Sequence, residues 1–128
     1  MRLHIEDYNI DDIDIEDYNR LKKELNRINK TLTCYENLIA NNEKITIHKI
    51  YKNTNISKPV IKRILEKRKE FELEVTECFN TLLTNNEEIT IKKIESITHI
   101  DSNEIYSILK YNLKRIITFN GTEEVITL

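Results

Sequence analysis

The sequence predicts a mainly α-helical protein made of two tandem copies of a three-helix unit, with a long helix in front and a β-hairpin behind. Three observations lead there. The chain repeats itself at an offset of 44 residues. Glycine and proline are nearly absent, with only Gly121 and Pro59 present. Apolar residues recur at i, i+3, i+4 spacings, the period of a helix with one buried face.

The repeat organises the rest. Cys34–Leu65 reads CYENLIANNEKITIHKIYKNTNISKPVIKRIL, and Cys78–Leu109 reads CFNTLLTNNEEITIKKIESITHIDSNEIYSIL. These align without a gap at 15 identities in 32 positions, a register that compositional bias does not supply. Each copy divides the same way. A first helix closes at Asn41-Asn42 or Asn85-Asn86, because asparagine tolerates the left-handed conformation that ends helices. A second helix starts near Thr46 or Thr90 and carries Ile47 and Ile50, or Ile91 and Ile94, on one face. After the turn Thr54-Asn55-Ile56 or Thr98-His99-Ile100 comes an N-capping residue, Ser57 or Asp101. The third helix then buries Ile61, Ile64 and Leu65, or Ile105, Ile108 and Leu109.

In front of the first copy, a helix is expected from about Asp14 to Ala40. Tyr18, Leu21, Leu25, Ile28, Leu32, Tyr35 and Ile39 alternate spacings of three and four, a heptad seam. Leu21, Leu25, Ile28 and Leu32 could pair two chains into a homodimer, or the stripe could pack on the chain's own second unit. Residues 1–17 form an acidic arm with IEDYN written twice. The expected division is an arm over 1–17, the long helix and first unit over 18–70, and the second unit with its hairpin over 71–128. The run KRKEFELEVTE joins the units as a long connecting helix or one kinked near Phe71–Val75. The hairpin rests on Asn120-Gly121 between two β-rich runs, since both turn residues need positive φ.

Composition excludes several functions. A phosphate-binding loop and a dinucleotide fingerprint each need several close glycines, and the chain has one. No apolar run approaches the ~18 residues of a membrane span, so no membrane partner is expected. The acidic N-terminus does not fit a secretory signal, which points to an intracellular location. Cys34 and Cys78 are expected as buried structural thiols, and His4, His48 and His99 lack metal-ligand spacing. No nucleophile stands beside a base, so no catalysis and no cofactor are expected.

Charge separates the copies. Residues 43–70 hold nine Lys/Arg against three acids, a net of +6, whereas residues 87–115 are neutral and the whole chain is −2. Any nucleic-acid footprint is therefore a local patch.

The apolar positions Ile50, Ile56, Ile61 and Ile64, matched by Ile94, Ile100, Ile105 and Ile108, resemble those of the helix-turn-helix superfamily of DNA-binding proteins. The resemblance covers roughly 43–68 and 87–112. It departs from the family at Tyr51 and Glu95, where a small residue is usual, and at Asn55 and His99, where glycine is usual. Asn and His tolerate positive φ, but a bulky Tyr51 could open the angle between the helices. A hairpin after a third helix is similar to the wing of winged-helix members.

The resemblance implies a third helix in the major groove of double-stranded DNA, with Ser57, Lys58, Lys62, Arg63 and Lys67 reaching bases or phosphates. Thr46, His48, Lys49 and Lys52 would touch the backbone from the preceding helix, and Lys67, Arg68 and Lys69 would continue the patch. The second copy offers Ser102, Asn103, Tyr106 and Lys110 on the matching face, for weak base reading or for a protein surface. The expected function is a homodimeric transcriptional regulator in the cytoplasm, associated with the nucleoid. The alternative is a protein-interaction module of the same shape, with an enzyme accessory subunit as a third reading.

Overall fold

The structure, a computed structural model, describes the backbone of residues 15–119 and 122–125 and the side chains of residues 15–115. Its helices are α1 (Ile15–Ala40), α2 (Ile47–Thr54), α3 (Lys58–Thr84), α4 (Ile91–Thr98) and α5 (Ser102–Ser107), the last running into π-helical turns over Ile108–Leu113. The expected acidic arm lies outside the described residues as far as residue 14. The connection between repeats is one unbroken helix, α3, of 27 residues.

The chain forms two compact units that divide between Leu65 and Glu66, inside α3. This is five residues earlier than the sequence suggested. The reason is packing: Phe71 lies against the core of the second unit, and the Arg68 side chain reaches Glu104 of that unit.

Each unit closes over its own repeat's apolar residues. The first core holds Leu32, Tyr35, Leu38, Ile50, Ile56, Ile61, Ile64 and Leu65. The second holds the equivalents of seven of these, Phe79, Leu82, Ile94, Ile100, Ile105, Ile108 and Leu109, together with Val75, Cys78 and Ile89. Burying each such side chain contributes roughly 1.5–3 kcal/mol, so the repeat is repeated in energy as well as in letters. Thr31 is fully buried at the position equivalent to Val75, its near-isostere.

The turns are also duplicated, bond for bond. Asn42 and Asn86 take the left-handed conformation at φ 54° and 58°. The Glu43 and Glu87 amides then donate back to the Leu38 and Leu82 carbonyls at 2.9 and 3.0 Å, which satisfies orphan groups at the helix end. Asn55 and His99, at φ 62° and 59°, close α2 and α4 by donating to the Tyr51 and Glu95 carbonyls, each at 2.8 Å. Thr54 and Thr98 brace these turns from within. Each hydroxyl donates to the carbonyl four residues back and accepts the amide two residues on.

Thr46 and Thr90 cap the short helices, each Oγ1 accepting the amide three residues on at 3.1 Å. Thr46→Ala and Thr90→Ala should each cost about 1 kcal/mol. Urea denaturation of the two variants measures this, and an unchanged midpoint in either would refute the cap's contribution.

The wing-like hairpin expected at the C-terminus is overturned. The packed fold is helical, and among the described residues no sheet layer or wing contributes to either core. Past Leu113, two four-residue stretches, Ile116–Phe119 and Thr122–Val125, pair antiparallel with Ile116 opposite Val125. Among the described residues these two strands make a sheet of their own, and strands of four residues are short. The Asn120-Gly121 turn lies outside the described residues. The sequence pattern therefore identified β-prone residues and overstated the element they build.

Candidate nucleic-acid interface

The residues singled out by charge and resemblance divide into three groups. The first is an exposed cluster where α2 meets the start of α3. Lys58 and Lys62 are exposed, one helical turn apart. The Lys58 Nζ sits 5.6 Å from the centre of the Tyr51 ring, and His48 lies 6.4 Å from the same ring, centre to centre. Tyr51 thus turns outward, 38% exposed, rather than wedging between helices. Its bulk costs the core nothing, because Ile50 fills the core position beside it at full burial. Ser57 is exposed just before α3, and Lys49 is half-buried with its amide engaged by the Thr46 hydroxyl.

The second group is held by acids. Arg63 is 64% exposed, and its Nη2 lies 2.9 Å from Glu24 of α1. Glu24 also stands 3.5 Å from Arg27. Lys67 belongs to the second unit by packing, pairs with Glu70 at 3.3 Å and lies 5.1 Å from the Phe71 ring. Such exposed pairs contribute little energy, so either cation can exchange its partner for a phosphate.

The third group is Arg68 alone, which, against expectation, does not continue the surface patch. It is fully buried. Its Nη1 donates to Glu104 Oε1 at 2.9 Å, its Nη2 to Asn112 Oδ1 at 3.1 Å, and its Nε lies 3.3 Å from Glu72. A guanidinium out of water needs this many oxygens around it.

In the second unit, Asn103 and Lys110 are exposed, and Ser102 and Tyr106 are half-buried. The Lys110 Nζ lies 5.6 Å from the Tyr106 ring and 5.3 Å from the Tyr111 ring. Tyr111 escaped the sequence reading, although it sits at the repeat position of Lys67.

The seam expected to pair two chains is largely used within one. Leu32 is fully buried in the first core and Leu25 is buried, whereas Ile28 packs partly on that core and Leu21 is half-buried. A heptad pattern marks one apolar helix face and does not name its partner. Both cysteines are free thiols. Burial pushes the Cys78 thiol up from its ordinary value. Cys34 is half-buried and accepts from Asn53 Nδ2 at 3.8 Å. Among the described residues there is no group of three His, Cys, Asp or Glu able to hold a metal, and no helix long and apolar enough to cross a membrane.

Comparison with known protein families, with curated proteins and with solved structures finds no match.

Proposed function

We propose that the protein binds double-stranded DNA as a helix-turn-helix regulator of transcription, acting by contact and without catalysis. The observation that carries this reading is the exposed cationic start of α3, with Lys58 beside Tyr51 and Lys62 one turn on, directly after the left-handed turn at Asn55. In this reading α3 would be the helix offered to a groove, and the net charge of +5 over residues 43–65, which leaves out buried Arg68, would attract phosphates. Lys58 and Lys62 would face base edges or phosphates, and Arg63 would leave Glu24 for a phosphate. Ser57, Thr46 and His48 would hold the flanking backbone.

The binding body in this reading is one chain, since Leu25 and Leu32 are already buried within it. A location with the chromosome in the cytoplasm follows from the same reading. The protein-interaction alternative draws on the second unit, where Leu73 and Ile97 stand 61% and 52% exposed.

The test is binding to mixed-sequence duplex DNA at two salt concentrations, with wild type and Lys58→Ala/Lys62→Ala/Arg63→Ala compared. Wild type should weaken steeply with salt, and the triple variant should lose roughly 10- to 1000-fold in affinity with a salt slope lower by about 2–3. No duplex binding at low salt, or equal binding by both proteins, overturns the reading and leaves the protein-interaction alternative.

A further inference from the structure

The two units present the same face of the same repeat with different chemistry. Lys58, Lys62 and Lys67 in the first copy's register become Ser102, Tyr106 and Tyr111 in the second, and Glu66 becomes Lys110. Two of the three cations have given way to aromatic rings, with one lysine between them. The backbone changes alongside. In an α-helix, residues five apart diverge by about 140°. The wider i→i+5 turns over Ile108–Leu113 bring Tyr111 round toward Tyr106, so that one Lys110 ammonium lies 5.6 and 5.3 Å from the two ring centres. Asn112, on the same turns, is tied to buried Arg68. The interior contact fixes the rotation of the π-helical segment, and both tyrosines stay half-exposed.

We infer that the second unit binds unpaired nucleotides, with bases stacking on Tyr106 and Tyr111 and Lys110 holding the phosphate between them. Rings stack on any base, because every base has a π-face, but a base inside a duplex does not offer it. Stacking needs far less cation than phosphate neutralisation does, which suits a unit whose repeat segment 87–115 is neutral and whose full span, Glu66–Leu128, carries a net charge of −4. The inference rests on the reading of the protein as a nucleic-acid binder. It differs in the form of nucleic acid and in the residues used.

The experiment compares a labelled single-stranded oligothymidylate of about 20 nucleotides with a mixed-sequence duplex of the same length. The proteins are wild type, Tyr106→Ala/Tyr111→Ala, Tyr106→Phe/Tyr111→Phe and the Lys58/Lys62/Arg63 alanine variant. The alanine pair should lose single-strand affinity about tenfold more than duplex affinity. The phenylalanine pair should keep single-strand affinity, since stacking needs the ring and not the hydroxyl. Tyrosine emission of wild type should be quenched by the oligonucleotide more than that of the phenylalanine pair, which decides the matter even if the alanine pair fails to fold. Duplex binding without single-strand binding, or equal quenching in both proteins, overturns the inference and leaves the duplex reading intact. Single-strand binding that survives in the Lys58/Lys62/Arg63 variant while duplex binding is lost supports it and separates the two surfaces.

Discussion

Arg68→Ala should destabilise the second unit by about 3–5 kcal/mol, because it leaves the fully buried Glu104 side chain without its ion-pair partner. The loss reaches further than one ion pair. Asn112 loses the donor at 3.1 Å that anchors the π-helical turns, and Glu72 loses a neighbour at 3.3 Å. Replacing both charges, as in Arg68→Met/Glu104→Leu, should recover most of that stability, since apolar residues of similar volume often substitute for a buried pair at little or no cost. Thermal or urea unfolding of the single and double variants measures it. A single variant within about 1 kcal/mol of wild type would mean that Arg68 finds no essential partner inside.

Ile50→Ala and Ile94→Ala should each cost about 2–5 kcal/mol, since both side chains are fully buried in the core of their own unit and the cavity left behind cannot be refilled locally. Ile97→Ala, on the same helix as Ile94 but 52% exposed, should change stability by less than about 0.5 kcal/mol. The three variants together test the assignment of faces on α2 and α4. A large loss at Ile97, or a small one at Ile94, would mean that α4 is rotated from the described packing.

The comparison of these isoleucines shows why much of the fold was legible in the sequence. Ile50 and Ile94 lie at equivalent places of a repeat whose spacing is helical, and periodicity alone names the inward residue. The turns were legible for a similarly local reason. Asn42, Asn55, Asn86 and His99 are residue types that accept positive φ, and each does so here. The bracing hydroxyls of Thr54 and Thr98 were signalled too, as an identical pair flanking each turn, but their bonds to Ile50 and Ile94 carbonyls become evident only with the backbone in place.

Arg68 is the instructive failure. It sits in the run Lys67-Arg68-Lys69, which looks like surface charge. Yet Arg68, Glu72 and Val75 fall four and three apart on one stripe of α3, and Val75 is buried in the core of the second unit. The spacing marked Arg68 as inward. The carboxylate that makes this tolerable comes from Glu104, 36 residues away, and no local pattern announces it. The C-terminal stretch failed the other way. Asn-Gly between β-rich runs is a strong local signal, but the packed fold is helical and the described residues there form only two four-residue strands.

By itself, the sequence determined the number of units, the inward isoleucines of the short helices and the residue types that close each turn, because these follow from spacing and residue type within one or two helical turns. Only the tertiary structure decided which charges face water. Lys58 and Lys62 remain exposed, Arg63 is held by Glu24, and Arg68 is enclosed with Glu104, although all four belong to one basic segment. The physical reason is that a charge's environment is set by what lies across from it in space, and those neighbours come from distant parts of the chain.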